Sequence, residues 1–333
     1  MMEIRHRAMA CDFVVLIKDA GHDVDAAIAA LESIDQIESR LTIYSRDSEI
    51  SRLNDADSDV WTPLSRDTFE LLCHAIELAH QTGGAFDVTS GPLVDVWGFT
   101  RRSGRKPSST EIEVAIRSTG VDGIEMNEET RSARLTKPNM KLNLGAIGKG
   151  HAVDWLADQL LANGLSDFLI HAGQSSVFAW GDQFDDADQG DDVSPGCAEP
   201  ARRGWMVGLA HPTKSKTRLA GIWLQDEALA TSGSGKQYFH HRGRRYGHVI
   251  DPRTGQPAGD LLSLSLRKRR AADADALATA LFVMGGADAA AWAEEREIPL
   301  LRVAPTRRQD TVRLEVDGSW QWAERPNTDA TAI

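Results

Sequence analysis

The chain has 333 residues, 41% of them hydrophobic and 26% charged, with a formal net charge of −12. That length can bury one large hydrophobic core or two moderate ones, and the acid surplus argues against a nucleic-acid binder, which normally carries a basic excess. Three scattered cysteines (Cys11, Cys73 and Cys197) contain no CxxC pair and exclude a disulfide framework or a zinc site. No apolar run reaches the roughly 20 residues that span a bilayer, and no apolar leader precedes Cys11. The expectation is a soluble, cytoplasmic protein without a membrane span or a nucleic-acid partner.

In chain order, residues 11–19 (CDFVVLIKD) read as a strand by length and β-branched content. Residues 23–41 read as one helix with a stripe of Ala26, Ile28, Leu31, Ile34 and Ile37. A second helix spans 65–84, opened by Ser65 as N-cap and closed by Gly83-Gly84. Phe86 and Asp87 begin an extended segment that ends at Trp97-Gly98-Phe99, and 133–145 reads as strand material around a Pro-Asn turn. A helix follows over 151–164, then strands at 167–173, 204–210 and 221–232, a helix at 273–286, and a helix, strand and hairpin running to Trp322. The alternation lacks the strict rhythm of a doubly wound sheet, so the fold class is α+β, with mixed or antiparallel sheets flanked by helices. One domain over 1–323 is expected, carrying an acidic insertion loop at 181–203 and a disordered tail at 324–333. Basic clusters at Arg101, Arg102, Arg105 and Lys106, at Arg242, Arg244 and Arg245, and at 267–270 read as solvated loops and helix ends.

Four stretches carry chemistry. In 142–154, LNLGAIGKGHAVD, a P-loop would need glycine where Asn143 stands and a hydroxyl residue where Gly150 stands. A dinucleotide fingerprint would need glycine in place of Val153. What remains is a strand entering a glycine-rich turn at a helix N-terminus, where amides and Lys149 suit a phosphate as well as they suit a plain turn. In 272–286, Asp275 and Thr279 share a helix face and offer the hard oxygens that Mg²⁺ accepts, with Asp273 as a helix cap. In 230–257, Asp251 to Gly255 form a turn, and His248, a structural residue by default, becomes a proton acceptor or phosphate contact if the TSG hydroxyls (231–233) and a metal lie close to it. In 82–99, an aromatic ring beside Asp87 could hold a heterocycle and one of its polar edges.

Together and in this order, these stretches resemble the ApbE family of FAD:protein FMN transferases, from about residue 7 to residue 286. YSRDSEISRLN (44–54) is similar to the family's SE.SRLN segment, and GGAFDVTSGPLVDVWGF (83–99) to its GgaFD.T.gpL...WGf. LNLGAIGKGHAVD is similar to DlGgiaKGyavD, ATSG…YGHVIDPRTG to aTSG…y.HiiDPrTG, and ADALATALFVMG (274–285) to aDalsTalfvmG. The resemblance implies an ApbE-like, T-fold-like architecture in a bacterial enzyme. It implies an Mg²⁺-dependent transfer of FMN from FAD to a Thr or Ser hydroxyl of an acceptor flavoprotein, through a phosphoester bond with release of AMP. The alternative is a relative that binds FAD or hydrolyses it to FMN and AMP. Acceptors would be subunits of the Na⁺-translocating NADH:quinone reductase or Rnf type, or other FMN-binding domains, marked by a motif of roughly Asp-x-x-[ST]-G-A-[ST]. By match to the motifs, Asp275, Thr279 and the Ala146 carbonyl would hold the metal, and Lys149 would face the phosphates. Met9, Tyr44, Ala85, Phe86, Asp87, Asn143 and Ile250 would line the flavin or adenine pocket, with His248, Ser232 and Asp275 nearest the chemistry. The chain departs from the pattern at Asn143, where many members carry Asp, at Gln174, where a Gly-Gly pair is usual, and at Met9-Ala10-Cys11, where MGT is usual.

Overall fold

The computed structural model describes residues 1–18, 21–101, 103–184, 203–214, 217–235, 237–306 and 311–326. Most of the expected loop at 181–203 and of the tail at 324–333 lies outside them. The chain begins with β1 (Met2–Ala8) and β2 (Cys11–Ile17), then α1 (Gly21–Glu32), α2 (Ile34–Leu41), α3 (Glu49–Asp55), β3 (Thr62–Pro63) and α4 (Arg66–Gln81). Next come α5 (Gly91–Val96), α6 (Ser109–Arg117), β4 (Ile124–Asn127), β5 (Ser132–Leu135) and α7 (Gly148–Ala162). Seven strands follow: β6 (Phe168–Ala172), β7 (Ser176–Trp180), β8 (Trp205–Ala210), β9 (Arg218–Leu224), β10 (Glu227–Gly233), β11 (Tyr238–His241) and β12 (Arg244–Gly247). The chain closes with β13 (Ser263–Lys268), α8 (Ala271–Met284), α9 (Gly286–Glu294), β14 (Leu300–Pro305), β15 (Val312–Asp317) and β16 (Trp322–Glu324).

An eight-stranded sheet in the order β1-β2-β6-β7-β10-β13-β14-β15 organises the molecule, and every pairing in it is antiparallel. Period-two alternation divides its side chains between two cores. Phe168, Ile170, Ala172 and Leu264 face α1, α7 and α8 in the larger core. Leu169, Val177, Ala179 and Val303 face the three-stranded sheet β16-β9-β8 in a second one. A smaller cluster gathers Leu93, Trp97, Phe99, Ile112, Ala115, Tyr246 and Ile250 around α5, α6 and the β11–β12 hairpin. Helices and antiparallel sheets are thus segregated as the α+β reading expects.

Several boundaries move. The helix expected over 23–41 breaks at Ser33, whose hydroxyl donates to the Ala30 carbonyl and accepts from the Trp155 indole. Its buried stripe is Ala27, Ala30, Leu31, Ile34, Ile37 and Leu41, and Ile28 is exposed. The segment after Asp87 is not extended: Pro92 in the first turn of α5 opens a helix there. The strand expected over 221–232 is two strands, β9 and β10, which turn at Asp226 with a positive φ and join different sheets. Residues 142–147 are a loop rather than a strand, and α7 starts at Gly148, three residues earlier than expected.

The two other departures from the family pattern fall on left-handed backbone. Met9 and Ala10 (φ 49° and 59°) make the two-residue turn between β1 and β2, and Gly173 and Gln174 (φ 55° and 66°) open the three-residue turn between β6 and β7. Such turns favour glycine, because a Cβ crowds the backbone there. Ala10→Gly and Gln174→Gly are each expected to raise stability by about 0.5–1 kcal/mol. A urea titration reads this as a higher midpoint at unchanged slope, and unchanged midpoints would show that neither turn is strained.

Candidate active site

The loop before α7 is fixed from outside before it can present anything. The Asn54 side chain, last residue of the SE.SRLN segment, clamps Leu142 by donating to its carbonyl (3.0 Å) and accepting its N–H (2.6 Å). The Asn143 N–H donates to the Val88 carbonyl (2.7 Å), and its Oδ1 accepts from the Gly145 N–H (2.9 Å). An aspartate would accept that second bond equally well, so this departure leaves the turn intact and removes only a charge.

The N-termini of α7 and α8 cross so closely that each helix caps the other. Asp154, nearly two turns into α7, accepts the Ala271 and Ala272 N–H groups of α8 at 2.7 and 2.9 Å. Asp275, one turn into α8, accepts the Gly150 N–H of α7 at 3.1 Å and the Lys149 ammonium at 3.3 Å. Amides at a helix start have no partner within the helix, and a carboxylate there is favoured by the helix dipole. Burial pushes the Asp154 carboxyl up to about 6, against the two amide bonds and Arg270, which favour its charged form. Gly150 has no room for a side chain, since a Cβ would lie 2.2 Å from the Ala271 carbonyl oxygen. The glycine thus serves helix crossing. Asp273 does not cap α8; it pairs with His74 at 2.5 Å.

The chemistry-bearing groups gather around this crossing. The Gly150 N–H has turned to Asp275, so the Ala146 carbonyl receives no helical bond. The Thr279 hydroxyl lies one turn beyond Asp275 and donates to the Asp275 carbonyl (3.2 Å), which leaves its own oxygen able to accept. One carboxylate, one hydroxyl and one carbonyl are hard oxygens of the kind Mg²⁺ takes when water and phosphate complete its shell. Three or more His, Cys, Asp or Glu side chains never cluster among the described residues as a self-sufficient metal site would require. Met9 reaches the same place: its Cε lies 3.3 Å from where a Gly148 Cβ would stand. Glu38 holds Met9 there by accepting its N–H at 2.8 Å.

His248 follows β12 directly, with its ring edge-on to Phe99. Its Nδ1 lies 3.2 Å from the Gln237 carbonyl, so donation there leaves Nε2 as a free acceptor. Burial lowers its pKa, and the Lys149 charge acts in the same direction, which ties His248 electrostatically to the α7 N-terminus. Ser232 is buried on β10, and the neighbouring Ser234 packs against Gly247, next to His248. The DPRTG turn closes with the Gly255 N–H on the Asp251 carbonyl (2.8 Å) and is pinned by the Trp97 indole on the Gly255 carbonyl (2.8 Å).

Four of the expected pocket residues point into the protein. Ala85 and Phe86 belong to the larger core, and Ile250 belongs to the small cluster. Asp87 accepts both the N–H (2.7 Å) and the hydroxyl (2.5 Å) of Thr89, and burial raises its pKa. Tyr44 stands 77% exposed on the loop between α2 and α3. The residues that sequence reasoning left without a role are Asp154, Asn54 and Glu38. Asp154 and Asn54 were visible as the closing residues of two motifs, whereas nothing in sequence joins Glu38 to Met9.

The fold and its site define an α+β protein in which a helix N-terminus, a lysine and a buried aspartate meet beside a histidine. The chain matches the ApbE family over residues 9–301 and belongs to it. It is 31% identical over 277 residues to a Vibrio cholerae protein named FAD:protein FMN transferase, covering 82% of this chain and 77% of that one. A protein of the same name from Treponema pallidum is 31% identical over 286 residues, covering 83% and 76%. Among solved structures, the ApbE protein of Thermotoga maritima superposes with a TM-score of 0.79 at 29% identity, over 91% of this chain and 94% of that one. The flavin transferase ApbE of Vibrio cholerae superposes with a TM-score of 0.76 at 27% identity, over 95% and 96%.

Proposed function

We propose that this chain is an FAD:protein FMN transferase that moves FMN from FAD to a Thr or Ser hydroxyl of an acceptor flavoprotein. The acceptor oxygen bonds to the FMN phosphorus, the pyrophosphate bridge breaks, and AMP leaves with the bridging oxygen. The observation that carries the reading is the meeting of the α7 N-terminus, Lys149 and Asp275 where two helix starts cross. Mg²⁺, held by Asp275, the Thr279 hydroxyl and the Ala146 carbonyl, would neutralise the two phosphates. Lys149 would exchange part of its pairing with Asp275 for a phosphate oxygen. Neutral His248, oriented by Gln237, would take the hydroxyl proton on Nε2. Met9 would pack at the edge of the bound nucleotide.

The test is incubation with FAD, Mg²⁺ and a protein bearing the Asp-x-x-[ST]-G-A-[ST] motif. A covalently fluorescent acceptor band and one AMP per flavin are expected, and a chelator should abolish both. Free FMN and AMP without a labelled band would sink the transferase reading and make the chain a pyrophosphatase. Because a base must be neutral to act, activity should be level near pH 7 and fall on acidification, with a midpoint below the usual imidazole value of about 6.5. Lys149→Ala should move that midpoint upward by removing a cation that opposes His248 protonation. An acid limb above 6.5 would reject His248 as the base.

A further inference from the structure

From Ala228 to Ile250 there is no acidic residue, although the chain has 49 acids in 333 residues. The middle of that stretch folds as the β11–β12 hairpin. Its register pairs Phe239 with Tyr246 and His241 with Arg244, so one face packs Phe239 and Tyr246 toward Trp97 and Phe99. The other face carries Tyr238, His240 and Arg245, with the Arg245 guanidinium 3.9 Å above the Tyr238 ring and His240 edge-on to it. Arg242 and Arg244 stand exposed at the tip, and Lys106 lies beside the hairpin at 6.0 Å from the Tyr246 ring. Among the described residues, none of Lys106, Arg242, Arg244 and Arg245 is paired with a carboxylate. The buried Arg245 Nε has no acceptor.

Unpaired cations concentrated on one hairpin of a chain with net charge −12 mark a site for an external anion. Distance identifies which kind. At about 3.3 Å per residue, Arg244 and the turn residue Arg242 lie roughly 13 and 16 Å along the hairpin from His248. The only charges of FAD are on its pyrophosphate, at the reaction centre, so they cannot also meet the tip. A polypeptide whose hydroxyl is delivered to His248 does continue outward over that span. We propose that the outer face and tip of the β11–β12 hairpin dock a carboxylate-bearing segment of the acceptor flavoprotein. The inference rests on the transferase reading for its partner, and on the hairpin alone for its charge preference.

The test uses the full chain and the double variant Arg242→Glu/Arg244→Glu, whose side chains lie outside the site. The KM for the acceptor protein should rise by about ten-fold or more, and the KM for FAD and the kcat at saturating acceptor should stay within two-fold. The acceptor KM of the unmodified enzyme should also rise with salt more steeply than that of the variant. An unchanged acceptor KM, or an equal change in the FAD KM, overturns the proposal. A binding arm reads docking without chemistry, using a dye-labelled peptide from around the acceptor hydroxyl and its Asp/Glu→Asn/Gln counterpart. Preference for the acidic peptide, lost in the variant, supports docking even if no FMN is transferred, in which case the transferase reading alone fails. Equal binding of both peptides overturns docking whatever the transfer assay shows. So does binding to phosphatidylglycerol vesicles without that preference, which would make the hairpin a membrane contact.

Discussion

Asp275→Ala is expected to abolish FMN transfer and to loosen the fold in the same stroke. The carboxylate is buried, it accepts the Gly150 N–H and the Lys149 ammonium, and it is the one charged oxygen of the proposed magnesium set. Truncation leaves a buried helix-terminal amide unsatisfied, worth about 1–3 kcal/mol, while loss of a metal ligand should lower turnover by about 100-fold or more. Asp275→Asn separates the two effects. Its carbonyl oxygen can still accept from Gly150, so stability should drop by about 1 kcal/mol or less. It brings no charge to the metal, so turnover should remain lost. AMP release and urea unfolding, measured on both variants, check this. Full transfer by Asp275→Asn would remove Asp275 from the metal site.

Gly150→Ala should be the most damaging single methyl added anywhere near the site. Its Cβ would meet the Ala271 carbonyl oxygen at 2.2 Å, the Ala271 carbonyl carbon at 2.6 Å and the Ala272 Cα at 2.8 Å. All three are backbone, so no side chain can rotate away and the two helices must separate. Overpacking of this kind costs about 1–3 kcal/mol or more, and here it also stretches the Asp154 and Asp275 bridges. Gly148→Ala is the control, because its Cβ meets only the flexible end of Met9 at 3.3 Å and then Leu144 at 3.9 Å. Thermal unfolding should show Gly150→Ala melting several degrees lower and Gly148→Ala close to the parent. Equal melting temperatures would refute the contact between helix starts.

The contrast between these glycines marks how far sequence could go. The stretch LNLGAIGKGHAVD announced a glycine-rich helix start with a lysine, and the structure has one. Sequence placed its glycines in a turn before the helix, open to a phosphate or to nothing, whereas Gly150 belongs to the helix and faces another backbone. Such a contact joins residues 121 positions apart, and no local pattern encodes it. Asp275 and Thr279 were legible because a helical spacing of four puts them on one face. The Phe86 and Ile250 side chains lie in hydrophobic clusters, which sequence could not foresee: an aromatic or aliphatic residue in a motif reads the same whether it meets a ligand or a core. The α5 helix was missed because Pro92-Leu93-Val94 resembles extended chain until Pro92 is placed in a first turn. The strained turns at Ala10 and Gln174 were visible only as odd letters in a glycine-rich pattern, until their dihedral angles showed what glycine had been doing there.

The exchanged carboxylates of α7 and α8 have a dynamic consequence. A helix normally frays from its ends, with each terminus opening on its own account. Here opening the first turn of α7 breaks the Gly150 bond to Asp275, and opening the first turn of α8 breaks the Ala271 and Ala272 bonds to Asp154, so each start is held by a side chain of the other helix. Local breathing at this crossing therefore involves both helices. A ligand that engages Asp275 is expected to reach the α8 start through the Gly150 contact with Ala271 and Ala272, read as slower amide exchange at two residues the ligand does not touch.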